Sequence, residues 1–190
     1  MLISYFTTAP GVWGLAGSLA WSFAPTRRAM LAVLLATQPG YVLYWWLQND
    51  WTAAGMTVLA ILLTVLSVGL DGEPDSGRVR WTRRGFLLTL IPVAAITAFT
   101  WSGLSSFLAG IGLAMGCLAR WQTDGGRFKA LMFSSALPWL AHDLLTMAGS
   151  SICADVFAIG RGGWVLWREH AAAREVLAAP ESQDALAAAA

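Results

Sequence analysis

Apolar residues fall into seven stretches along this chain, at about 10–23, 30–47, 51–70, 86–101, 104–121, 128–147 and 150–167. A helix crosses ~30 Å of hydrocarbon with roughly 20 apolar residues, and with fewer where interfacial aromatic rings flank it. Each stretch therefore predicts a membrane-spanning helix, the first of them short and the fourth interrupted by Pro92. Turn-forming runs separate the stretches: Ala24-Pro25-Thr26, Gln48-Asn49-Asp50, the Asp-, Gly- and Pro-containing run 71–77, and Thr123-Asp124-Gly125-Gly126. No linker is long enough to hold a soluble domain.

The cations sharpen this pattern. Arg27 and Arg28 lie in the first connection, Arg78, Arg80, Arg83 and Arg84 in the third, Arg120, Arg127 and Lys129 in the fifth, and Arg168 and Arg174 after the last stretch. Seven alternating helices put all of these on one side, whereas six or eight would scatter them. The positive-inside rule makes that side cytoplasmic, with the N-terminus outside and the C-terminus in the cytoplasm. Composition agrees with a multi-pass protein, since 57% of residues are apolar and only 12% charged. A net charge of +1 points to no nucleic acid. Cys117 and Cys153 lie in apolar stretches with no CxxC or Cys/His spacing, so neither a metal site nor a cofactor is expected. No basic segment precedes the first stretch, so no removable signal peptide is read, and the Ala-rich end reads as a tail without a function of its own.

Sliding the sequence against itself by 99 positions brings two regions into register. Gly11 meets Gly110, Gly17 meets Gly116, Leu19-Ala20 meets Leu118-Ala119, Arg28 meets Arg127 and Pro39 meets Pro138. Three helices reverse the direction of a chain, and one extra helix between the copies restores it. The expectation is an all-α membrane protein of seven transmembrane helices, two parallel three-helix bundles joined by a linker helix. Its parts are a first repeat at 1–70, a cytoplasmic loop with the linker helix at 71–103, a second repeat at 104–168 and a cytoplasmic tail at 169–190.

Ionisable groups inside a span cost ~3 kcal/mol each on insertion scales and face a bundle interior or a wet cavity. His142, Asp143, Asp155 and Arg161 are four such groups. The first two precede the turn near 147–149 by about as far as Asp155 follows it, so both sets lie ~9 Å below that turn. Helices six and seven can then bring His142 or Asp143 to Asp155, either to bind a proton, cation or solute hydroxyl or to pin two helices together. Arg161 lies on a different face from Asp155, so its partner must come from another helix, unless its long side chain snorkels to the interface. Gly160, Gly162 and Gly163 around it suit a close neighbour or an open site. Gln38 is a further polar group in the second helix, with Leu137 at the matching place in the second half. Pro39 and Pro138 each remove a backbone hydrogen bond and serve as hinges or static kinks. Gly11, Gly14, Gly17, Gly112 and Gly116 suit close helix packing, and Trp45, Trp46 and Trp51 an interfacial belt. No Ser elbow, HExxH or phosphate loop is present, so enzyme chemistry is not expected.

The three-one-three layout resembles the SWEET sugar transporters and their single-bundle bacterial relatives, over roughly residues 10–168. In those transporters a proline pair in the first helix of each bundle acts as hinges, whereas here the pair is in the second. Leu140-Ala141-His142-Asp143-Leu144-Leu145, followed by Asp155 and Arg161, resembles the bacterial inner-membrane family called YgjV. That family carries Asn where Asp155 stands. The resemblance implies a multi-pass protein of the bacterial inner membrane. Together these features read as a transporter of a small polar solute, with His142, Asp143, Asp155, Arg161 and Gln38 lining a pathway between the bundles. The competing class is a non-transporting assembly or interaction protein. The partners expected are the lipid bilayer and a small solute, with self-association left open.

Overall fold

Three helices begin on side-chain caps that their turn sequences supply. Thr26 accepts a hydrogen bond from the Ala29 amide, Asp50 from Ala53 and Asp124 from Arg127, at 3.2, 2.9 and 2.8 Å. Each satisfies an amide that the first helical turn would otherwise leave unpaired. The computed structural model describes residues 8–68, 70, 81, 84–86 and 88–188. Among them it is all-helical, with α1 (Ala9–Trp21), α2 (Arg27–Leu47), α3 (Trp51–Val68), α4 (Leu90–Phe99), α5 (Leu104–Trp121), α6 (Gly125–Thr146) and α7 (Gly149–Ala188). Apart from Trp81 and Arg84, the expected loop at 71–84, with Arg78, Arg80 and Arg83, lies outside the described residues.

Helices α2, α3 and α5 are long and apolar enough to cross a membrane by length and composition. Helix α1 has 13 residues and α4 has 10, short of the roughly 20 that span hydrocarbon. Helix α4 was expected over 86–101, but Thr89 is a turn residue and the helix restarts at Leu90. Pro92 explains the break: its ring would strike the carbonyl of Leu88 in a continuous helix, and in a first turn it needs no N–H. Pro39 and Pro138 behave differently, because α2 and α6 run through them without interruption. Helix α7 continues to Ala188, so the 169–190 region is helical over nearly its whole length, as its alanine content favours.

Consecutive helices pack within each half, α1 on α2 on α3 and α5 on α6 on α7. Across the halves α3 packs on α5 and α1 on α7, and α4 lies against α3 and α5. Glycine permits the tightest crossing: a Cβ on Gly17 would fall inside the Thr37 side chain, and one on Gly14 would lie 2.8 Å from the Tyr41 ring. Two further contacts relate the halves. A Cβ on Gly40 would lie 3.0 Å from the Trp13 ring, and one on Gly112 would lie 2.7 Å from Trp139. Positions 112 and 139 are positions 13 and 40 advanced by 99, so the same crossing is filled twice with Trp and Gly exchanged between the partners. Of the three glycines around Arg161, only Gly162 meets a neighbour, the Phe133 ring of α6.

The molecule has two unlike ends. At one, the α2–α3, α4–α5 and α6–α7 turns gather, and the hydrogen bonds of Thr52 to Thr100 and Ser106 join the first two. At the other, Trp21 packs against Phe128 and Phe133 in a buried cluster with Met30 and Leu31. Between the ends the outward surface is apolar, Ile91 and Phe99 being 66% and 91% exposed. An apolar surface of that kind suits lipid and not water.

Candidate functional site

Polar side chains turned away from this apolar surface gather in the interior, around a cavity of about 150 Å³ between the halves. Its wall includes Gln38 of α2, Arg120 of α5, Trp139 of α6 and Asp155 of α7. Gln38 is buried, and its amide oxygen accepts from Thr64 Oγ1 at 3.3 Å. Thr64 in turn accepts from Arg120 Nε at 3.0 Å, which links α2, α3 and α5 through one hydroxyl.

Asp143 and Asp155 meet across the α6–α7 hairpin, with the Ser151 hydroxyl beside Asp143. Neither oxygen of Asp143 receives a well-aligned hydrogen bond from a protein donor. Two ionised carboxylates have no hydrogen to share, so a bond between them requires one proton held by the pair. Asp155 also borders the cavity, whereas Asp143 stands behind it.

His142 does not approach Asp155; it turns toward the opposite half. Its Nδ1 lies 2.9 Å from the Ser105 carbonyl oxygen and its Nε2 lies 3.2 Å from Asp50 Oδ2. A carbonyl only accepts, so the Nδ1 hydrogen is committed to Ser105. Nε2 makes no aligned hydrogen bond, so in a neutral ring its lone pair faces the carboxylate, whereas a protonated ring would form an ion pair with Asp50 across the 3.2 Å gap. Burial works against charge on Asp50, but the hydrogen bond and charge of His142, with the amides of Ala53 and Thr52, outweigh it and hold the carboxyl below its ordinary range. Trp45 and Trp139 pack edge-on against the His142 ring, with centroids 5.6 and 5.5 Å away. Trp45 also borders both the central cavity and a second space of about 490 Å³, which lies at the end holding Asp50 and is lined by Asn49, Thr100 and Ser102.

Arg161 does not line the central cavity. Its guanidinium stacks on Phe23 and Trp164, 4.9 and 4.7 Å from the ring centroids. The partner outside α7 is thus an aromatic face, Phe23 of the α1–α2 turn, and not an acid. Two arginines assigned to loops from the sequence are instead buried. Arg27 opens α2 and donates to the carbonyls of Gln122, Arg120 and Ser67 at 2.9, 3.1 and 3.2 Å, closing the C-terminal ends of α3 and α5. Arg120 is 3% exposed. Its position was readable in retrospect, because Gly112, Gly116 and Arg120 follow at four-residue steps on one face of α5. Asp50 carried a weaker signal, that of a helix cap.

An apolar exterior around a polar interior, with no strand among the described residues, defines an integral membrane protein of the all-helical class. Residues 15–172 match the Imp-YgjV family, described as a bacterial inner membrane protein, and the chain belongs to that family. No curated protein and no solved structure shows significant similarity to it.

Proposed function

We propose that this protein carries a small polar solute across the inner membrane by alternating access between two parallel three-helix bundles, α1–α3 and α5–α7, with α4 as the linker. The observation that carries the reading is the central cavity, walled by both halves and bordered by buried polar groups. Further support comes from the paired cross-half contacts, α3 on α5 and α7 on α1, which exchange when each half takes the other's place. The exchanged Trp13–Gly40 and Gly112–Trp139 contacts point the same way.

In this reading the two ends of the cavity open in turn. Opening the end that holds Asp50 separates Asp50 from His142 and Thr52 from Ser106, and moves Trp45, which stands between the two spaces. Opening the other end separates Arg27 from the carbonyls of Arg120 and Gln122. Pro39 and Pro138 sit midway along α2 and α6, where a missing backbone hydrogen bond lowers the resistance to bending.

The described Lys and Arg residues lie toward the end opposite Asp50, and the positive-inside rule supports reading that end as the cytoplasmic one. In a Cys153→Ser background, Asn49→Cys should react with an impermeant maleimide on intact cells and Thr123→Cys should not. The reverse pattern would invert the orientation. For transport, proteoliposomes should accumulate at least one member of a labelled panel of sugars, nucleosides and amino acids. Ala136→Trp, which fills the cavity from α6, should abolish that uptake in protein that still elutes as a monodisperse peak. If wild type moves nothing across the whole panel, or Ala136→Trp transports normally, the cavity is not a pathway and the assembly-protein reading takes its place.

A further inference from the structure

Arg120 differs from every other buried polar group around the cavity, because it brings a permanent charge that no protein carboxylate neutralises. Arg is protonated at all accessible pH values. The side chain is 3% exposed, and among the described residues it forms no ion pair. Its Nε donates to Thr64, and its Nη1 to the Gly116 carbonyl at 3.1 Å and toward the Met132 sulfur at 3.8 Å. These account for three of the five N–H donors of a guanidinium, so both hydrogens of Nη2 are left without a partner among the described residues. The C-terminal ends of α3 and α5 place partial negative charge nearby, which makes the cation tolerable but supplies no acceptor for Nη2. A guanidinium held rigidly at a cavity wall, with donors to spare, is suited to an anion and above all to a carboxylate.

The same cavity borders Asp155, together with the Ser135 and Ser151 residues. These supply acceptors and hydroxyls for hydrogen-bond donors on a ligand. The volume, about 150 Å³, matches a molecule of about six non-hydrogen atoms, since a cavity of that size accepts benzene. We propose that the central cavity is a binding site for a small organic carboxylate that also carries an amine or hydroxyl. Its carboxylate pairs with Arg120 and its donor group with the polar side chains of the cavity wall. This rests on the cavity being the solute site proposed above, and it names the class of solute.

The test compares acids with their own amides, which keep the shape and remove the anion. Purified protein in detergent is titrated with L-lactate, L-alanine, propionate, lactamide and L-alaninamide, followed by thermal unfolding and by the fluorescence of Trp45 and Trp139 at the cavity wall. L-lactate or L-alanine should raise the unfolding temperature in a saturable way, while the amides should bind at least about tenfold more weakly. Comparison of lactate with alanine distinguishes a hydroxy acid from an amino acid, and propionate isolates the contribution of the donor group. Arg120→Gln should remove the preference for acid over amide, and Arg120→Lys should retain part of it. If Arg120→Gln does not fold, the acid-against-amide comparison in wild type decides alone. Equal binding of acids and amides, no response to any acid, or full acid preference in folded Arg120→Gln would each overturn the assignment. The transport reading fails separately. Uptake of a neutral sugar blocked by Ala136→Trp would leave the pathway intact while removing the carboxylate site. Acid binding without uptake of any solute would do the opposite.

Discussion

Gly17→Leu is expected to lower the stability of the folded protein by about 3 kcal/mol, the upper part of the range for overpacked interiors. A Cβ at Gly17 already falls inside the Thr37 side chain of α2, and Thr37 cannot swing away freely because its hydroxyl donates to the Val33 carbonyl at 2.7 Å. Helices α1 and α2 must then separate, which also disturbs the neighbouring contact of Gly14 with Tyr41. Gly160→Leu is the matched control, since nothing lies within 4 Å of a Cβ at that position. It should be neutral or slightly stabilising, because Leu is the better helix former. Thermal unfolding of both variants in the same detergent checks the pair, and similar values for the two would show that the α1–α2 crossing is not tightly packed.

Asp155→Leu is expected to destabilise by roughly 2 kcal/mol while Asp155→Asn folds as well as wild type, because only Asn still offers Asp143 a hydrogen-bonding partner. A hydrogen bond within the native pair needs one proton shared by two carboxyls, whereas the Asn amide can donate to the Asp143 carboxylate without any proton being taken up. Leu leaves Asp143 buried with only the Ser151 hydroxyl beside it. The Asn variant also separates structure from transport. If the shared proton takes part in solute movement, Asp155→Asn should be stable and inactive in the uptake assay. A stable and fully active Asn variant would assign the pair a purely structural part, and an Asp155→Leu protein as stable as wild type would show that the carboxyls do not depend on each other.

Much of the architecture was legible in the chain because lipid imposes a simple rule: a spanning segment must pair all its backbone groups internally and be apolar outside. Length and hydropathy therefore placed these seven described helices to within a few residues, apart from the start of α4 and the end of α7. The contact of Asp143 with Asp155 was also within reach, since a hairpin fixes depth on both its arms and equal depth brings residues together.

What depth along the chain could not supply was the direction in which a side chain faces, and that was decided by the tertiary structure. His142 and Asp143 are neighbours at one depth, yet successive residues on a helix point about 100° apart. One of them meets Asp155 and the other crosses to Asp50 in the opposite half. Arg120 shows the same limit more sharply. It stands one residue from the end of α5, where a cation that snorkels outward and a cation buried against a cavity are identical in sequence. Only the approach of α3, which brings Thr64 to its Nε, and the space left by Gly116 hold it inside. Sequence by itself determined where the described helices lie, where they turn and which end is basic, because those depend on local chemistry and on the membrane. Which polar groups share the interior depended on the packing of one half against the other, and that is a property of the assembled surfaces alone.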